Sequence, residues 1–199
     1  TETELAEKGI GVFTNAGSHR MDKNVAILIP EVNPQHIESI KDQSTYDNGG
    51  FIITNANCSS TGIAAPLAAL NDAYGLKQVF ISTYQALSGA GYPGVPSLDA
   101  VGNVVPFIKG EEEKMETELA KMLGKYENKQ FKFADFKVYA NCVRVPVVDG
   151  HLESLTLSMD SEPSIDELTR TLENFKGEPQ KLGLPPAPEH PIIVRKEEN

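Results

Sequence analysis

Apolar residues along this chain recur at two different periods, and each change of period marks an element. Thr1 to Glu7 resembles the end of a helix stopped by Gly9, followed by a short strand at Ile10 to Phe13. Val25 to Ile29 is an apolar run ended by Pro30 and is predicted as a strand. Pro34 suits the first turn of a short helix reaching Lys41. Gly50-Phe51-Ile52-Ile53 reads as a buried strand, and beyond it Ile63, Leu67 and Leu70 fall at helical spacing. That helix is expected to be capped by Ser59 or Ser60, to kink at Pro66, and to run to about Tyr74, where Gly75 stops it. From Lys77 to Tyr84, Val79, Ile81 and Thr83 alternate with Phe80, Ser82 and Tyr84, which is a strand pattern.

Gln85 to Pro106 is rich in Gly and Pro and reads as a long loop, the kind that carries function in a compact domain. Glu111 to Leu123 is a helix with Met115, Leu119 and Met122 as its buried stripe and an acidic first turn that suits the helix dipole. Phe136 to Val148 and Leu152 to Met159 are predicted strands joined at Asp149-Gly150, a hairpin signal. Ser164-x-x-Glu167 opens a helix with Ile165, Leu168, Leu172 and Phe175 inward. Pro185 to Pro191 is a proline-rich connection, and Ile192 to Val194 is expected as a short last strand. The order of elements from Cys58 onward predicts an α+β domain: a mixed or antiparallel sheet with helices on one face. Residues 1–56 read as the tail of an α/β unit, so the chain divides into 1–56 and 57–199. Thr1 is not an initiator Met, and Arg195 to Asn199 is charged with no expected terminal structure, so the sequence is expected to be a fragment of a longer enzyme.

Composition narrows the function classes. The 199 residues carry a formal net charge of −10, which argues against nucleic-acid partners and anionic membrane surfaces. No apolar run approaches the ~20 residues of a membrane helix. Two cysteines do not make a disulfide framework, so a reducing, cytoplasmic setting is expected. An anionic small substrate remains compatible if a few basic residues converge.

Cys58 is the leading chemical candidate. It falls where a strand turns into a helix, so unpaired N–H groups and the positive end of the dipole favour a thiolate, the nucleophilic form. Cys142 lies mid-strand and reads as a small buried hydrophobe. His151, just after Asp149-Gly150, is either an exposed turn residue or a general acid/base. Arg144 lies seven positions earlier, an odd separation that requires the turn to redirect one of the two side chains. Glu111 and Lys114 share a helix face, and Arg20, Lys114 and Arg144 are the candidate anion binders. Gly89-Ala90-Gly91-Tyr92-Pro93-Gly94 fits G-x-G-x-x-G, but Pro93 and Pro96 forbid the helix that a pyrophosphate turn needs. Its glycines can still bring backbone close to a ligand. No His/Cys cluster has metal-ligand spacing, so no metal is expected.

Five stretches in order resemble one family: Asn57-Cys58-Ser59-Ser60-Thr61, Thr83 to Gly91, Gly110 to Lys114, Asn141 to Pro146 and Asp149-Gly150-His151. They are similar to aspartate-semialdehyde dehydrogenase of the fungal and archaeal branch. The resemblance implies NADP-dependent conversion of L-aspartyl 4-phosphate to L-aspartate 4-semialdehyde and phosphate, on the route to lysine, threonine, methionine and isoleucine. It implies Cys58 as thioester nucleophile, His151 as acid/base and Gln85 as the residue that positions the acyl group. Glu111 and Arg144 would hold the amino acid, Arg20 and Lys114 the phosphate with Asn57 nearby, and Ser88 and Gly89 the nicotinamide end of NADP. It also implies a dimer or tetramer built through the sheet. By the same resemblance the leading Rossmann unit and a C-terminal cofactor-contacting helix are missing, so little NADPH-dependent turnover is expected. The alternatives are N-acetyl-glutamyl-phosphate reductase, malonyl-CoA reductase, or a non-catalytic domain of the same fold.

Overall fold

The computed structural model describes residues 1–195. The N-terminal part holds helix α1 (Glu2–Glu7), closed by a reciprocal cap between Thr1 and Glu4, and strands β1 (Gly11–Thr14) and β2 (Phe51–Thr54), which pair in parallel. The expected strand at Val25 to Ile29 is reduced to a single bridge, Ile27 to Thr54; only Ala26 and Leu28 exchange backbone hydrogen bonds with Thr54. The Pro34 segment forms 3₁₀ turns over Pro34–Asp42.

Helix α2 (Cys58–Tyr74) follows β2 after a three-residue turn. Its N-cap is Asn57, whose side-chain oxygen accepts from the Ser60 N–H at 2.7 Å, so neither Ser59 nor Ser60 is the cap. Cys58 is therefore the first helical residue, with its own N–H outside the intrahelical ladder. The helix continues through Pro66 to Gly75, which takes a left-handed φ of +67°.

Strand β3 (Leu76–Gln85) is the centre of a three-stranded sheet, between β6 (Lys137–Arg144) and β7 (Leu152–Met159). It pairs in parallel with β6 and antiparallel with β7. The two later strands are thus not a hairpin. Chain 145–151 instead crosses over the end of β3, and hydrogen bonds from Val145 N to Gln85 O, Leu87 N to Val147 O and Ser88 N to Val148 O strap it there. A short hairpin is formed by β4 (Lys125–Glu127) with β5 (Gln130–Lys132), turned by Asn128 and Lys129 at φ of 51° and 61°.

Helix α4 (Glu111–Met122) packs its Met115, Leu119 and Met122 stripe with Ile63 and Leu67 of α2 against Val79, Ile81, Val138 and Cys142 of the sheet. Complete burial of such side chains is worth roughly 1.5–3 kcal/mol each. The opposite sheet face is uncovered: Phe80 stacks on Tyr139 at 4.9 Å beside Tyr84, and all three are partly exposed. The glycine-rich loop contains 3₁₀ turns over Leu87–Ala90 and one helical turn, α3 (Ser97–Ala100). Helix α5 (Ile165–Glu173) has the expected Ser164–Glu167 capping box, but Ile165 is 80% exposed rather than inward; Leu168, Leu172 and Phe175 are half-buried. After the single turn α6 (Glu178–Lys181), Ile192 to Val194 forms no strand, and the expectation for the terminal residues falls outside the described ones beyond Arg195. Among the described residues no helix is long and apolar enough to cross a membrane.

Candidate active site

The site forms where three segments meet: the start of α2, the end of β3 and the strap 145–151. Cys58 sits at the first of these, exposed, with its Sγ 3.1 Å from His151 Nε2. The Ala86 N–H donates to His151 Nδ1 at 3.1 Å. A ring nitrogen that accepts cannot carry the proton, so the neutral imidazole bears its proton on Nε2 and directs it at Cys58 Sγ. Burial, and then the positive charge of Arg144, lower the His151 pKa, which keeps the ring neutral at pH 7. The arrangement makes His151 a donor to a thiolate or to an oxyanion rather than a base for a thiol. The strap resolves the odd spacing of Arg144 and His151: a Cβ placed on Gly89 would lie 2.8 Å from Arg144 Nη1 and 3.1 Å from His151 Cε1. Both side chains close on the same glycine.

An open cleft of about 870 Å³ begins at Cys58 and is lined by Arg20, Asn57, Gln85, Gly89, Glu111, Lys114 and Arg144, with Asn15, Gly17 and Thr61. A second cavity of about 580 Å³ lies on the other side of Cys58, between Gly62, Pro66, His151 and Glu153. Of the residues nominated from sequence, only Ser88 and His151 are absent from the first cleft lining; His151 lines the second cavity, and Ser88 is exposed beside Gly89.

Arg144 is 6% exposed and donates through Nη1 to Ala86 O at 2.8 Å and, more weakly, to Gln85 Oε1 at 3.4 Å. Gln85 is 1% exposed, with its amide nitrogen on Thr83 Oγ1. Glu111 is buried and takes Lys114 Nζ at 3.2 Å, while Lys114 stays half exposed. Arg20 is buried against Glu118, at 2.9 Å from Nη1 to Oε1, and gives Nη2 to Asn15 O. Cys142 is fully buried, and burial pushes its thiol up to about 11. On β7, Glu153 is pushed up to about 7, mainly by burial. Among the described residues no cluster of His, Cys, Asp and Glu could hold a metal ion.

Sequence reading missed Glu118 and Lys121. Both are buried, yet both read as ordinary solvated helix charges. The available signal was their spacing: 111, 114, 118 and 121 advance by three and four residues, which places all four on one helix face.

With this geometry in place, comparison with known proteins is specific. The family model described as "Semialdehyde dehydrogenase, dimerisation domain" matches residues 67–199, and the one described as "Semialdehyde dehydrogenase, NAD binding domain" matches residues 1–40. The chain belongs to the semialdehyde dehydrogenase family. It is 49% identical over 199 residues to the aspartate-semialdehyde dehydrogenase of Methanothermobacter thermautotrophicus, covering 100% of this chain and 57% of that protein. A crystal structure of the Candida albicans aspartate semialdehyde dehydrogenase with NADP superimposes with a TM-score of 0.80 at 35% identity, over 92% of this chain and 53% of that one. The malonyl CoA reductase (NADP) of Metallosphaera sedula is 36% identical, over 97% of this chain and 55% of that protein. The chain thus spans little more than half the length of these relatives. The resemblance to archaeal and fungal aspartate-semialdehyde dehydrogenases, read from five motifs, is borne out.

Proposed function

We propose that this chain carries the acyl-transfer centre of an NADP-dependent enzyme that converts L-aspartyl 4-phosphate to L-aspartate 4-semialdehyde, at the branch toward lysine, threonine, methionine and isoleucine. The observation that carries the reading is the Cys58–His151 contact at 3.1 Å, at the mouth of a cleft that also holds two arginines, a lysine and a buried glutamate. Residues 1–56 belong, on this reading, to the nucleotide-binding part, and 57–199 to the catalytic and dimerising part.

The Cys58 thiolate, supported by the free N–H groups at the start of α2 and by His151 Nε2–H, attacks the acyl carbon. Phosphate leaves toward Arg20 and Lys114 as the thioester forms. Gln85 positions the acyl group. Arg144 grips the substrate carboxylate with its planar fork, and Glu111 takes the ammonium. When bound, NADPH supplies the hydride that reduces the thioester. The chain's own part is then to hold the charge on oxygen: His151 Nε2–H donates a hydrogen bond to the thiohemiacetal oxyanion, which reforms the aldehyde C=O as the C–S bond breaks and its electron pair returns to Cys58 as thiolate. The exposed backbone at Ser88 and Gly89, with Gly89 lying directly against His151 and Arg144, supports a place there for the nicotinamide end of the cofactor. Both cysteines are free, which supports a reducing, cytoplasmic setting. The uncovered sheet face with Phe80, Tyr84 and Tyr139 supports self-association there, as a dimer or a tetramer. Sedimentation should find a species larger than the monomer at micromolar concentration, and monomer alone would contradict it.

Acyl transfer needs no hydride, so it tests the reading on the chain as it stands. Incubation with L-aspartyl 4-phosphate should release phosphate and leave one aspartyl group on Cys58 by peptide mass spectrometry. No adduct, or an adduct on Cys142, sinks the proposal. Acylation by malonyl-CoA and not by the acyl phosphate would favour the malonyl-CoA reductase reading instead.

A further inference from the structure

Glu118 is 2% exposed, and its carboxylate is divided between two partners from distant parts of the chain. Oε1 accepts from Arg20 Nη1 at 2.9 Å, and Oε2 accepts from the Asn57 N–H at 2.7 Å. Those partners are the two flanks of the phosphate end of the cleft: the guanidinium that meets the leaving group, and the N-cap residue immediately before Cys58. One turn along α4, Lys121 gives its ammonium to Arg20 O, Asp22 O and Val25 O at 2.6, 2.9 and 2.8 Å. Burial pushes Lys121 down to about 8, which leaves it charged at neutral pH. Helix α4 therefore fixes Arg20 twice, by its side chain through Glu118 and by its backbone through Lys121.

We infer that Glu118 is a positioning residue for phosphate binding at Cys58, an inference that rests on the phosphate role proposed for Arg20 above. Glu118 does not touch the reacting atoms. It holds the Arg20 fork and the Asn57 backbone in one rigid unit, so the anion site and the nucleophile keep a fixed separation. Its charge works against its geometry. A carboxylate beside Arg20 weakens the raw attraction for a dianion, whereas the same carboxylate orients the guanidinium that makes the contact. Glutamine at this position removes the charge. It also presents an N–H₂ to one of two partners that can only donate. Electrostatics alone then predicts tighter phosphate binding, and positioning predicts weaker binding. The two explanations differ in sign.

The test uses inorganic phosphate to protect Cys58 of the purified chain from iodoacetamide, a neutral reagent. Glu118→Gln should raise the half-protecting phosphate concentration by about tenfold while changing the unprotected alkylation rate by less than about threefold. Glu118→Asp, which keeps the charge on a shorter arm, should fall between wild type and Glu118→Gln. It carries the test by the same split between protection and alkylation if the Gln variant does not fold. An unchanged or lower half-protecting concentration in the variants overturns the inference. So does an equal loss of unprotected alkylation, because Glu118 would then be setting the reactivity of Cys58 itself rather than the anion site beside it. Failure of phosphate to protect the wild-type chain would refute the phosphate reading itself, before any variant is made.

Discussion

The two cysteines lie in one chain and differ in almost every property that governs a thiol. Cys58 opens a helix: it is exposed, faces a histidine nitrogen at 3.1 Å, and has helix N–H groups without intrahelical partners around it. Cys142 lies within a strand: it is fully buried, its N–H is given to Glu112 Oε1 at 3.1 Å, and its thiol is pushed up to about 11. On the proposed reading the difference comes from where an element ends, because an end leaves backbone donors free and a side chain exposed. The interior of a strand removes both.

The largest expected effect tests that difference directly. Cys58→Ser should lower acyl transfer from an acyl phosphate by ~10⁴-fold or more, as loss of a covalent nucleophile does. Cys142→Ala should leave the rate within about threefold and cost roughly 1 kcal/mol of stability through the small cavity it opens. Phosphate release and urea unfolding measure the two. Equal loss of transfer in both variants would erase the contrast.

His151 sharpens the same contrast. If its Nε2–H supports the thiolate, His151→Ala should slow acylation of Cys58 by ~10²-fold. His151→Gln, whose amide N–H can replace the donor, should recover about tenfold of that loss. A general base has no such substitute, so an equal loss in Gln and Ala variants would assign His151 the base role. Alkylation of Cys142 in unfolded chain should be the same in both variants.

How much of this was legible in the sequence follows from how local each feature is. The strand–turn–helix around Cys58 is local: an apolar run, a break and a helical stripe sufficed to place Cys58 at the start of a helix, though Asn57 rather than a serine is the cap. Strand partnership is not local. Asp149-Gly150 has the composition of a hairpin turn, yet β3 lies between the strands it was expected to join. Asn128-Lys129 is a true hairpin turn with both residues at positive φ and has no glycine to announce it. A dipeptide can encode a bend but not which strand lies beyond it. The same limit hid Glu118 and Lys121. Charged residues on a helix read as a solvated face until the loop carrying Arg20 is seen to fold over them. Helix α5 shows the reverse: its apolar stripe predicts burial, but Ile165 is left in solvent.

The smallest effect concerns Glu153. Thr83 pairs with Cys142 on one side and Glu153 on the other, so both flank it on the helix-covered face of the sheet, and Glu153 also lines the second cavity at Cys58. Its carboxyl rises from an ordinary 4.5 to about 7, chiefly because burial penalises the charged form, with the Ser59 hydroxyl opposing the shift. Between those values the folded chain keeps a proton that the unfolded chain has released. Stability from this group is therefore fully present below 4.5 and is lost as pH rises through about 7. Glu153→Gln removes the titration and keeps the shape. Its stability relative to wild type should rise by about 1–2 kcal/mol between mildly acidic and mildly alkaline pH, read from urea unfolding at the two pH values. A difference that does not change with pH would mean that Glu153 is solvated and ordinary. The cavity beside Cys58 would then be wetter than the one that holds Cys142, and part of the contrast between the two thiols would come from water rather than from where α2 begins.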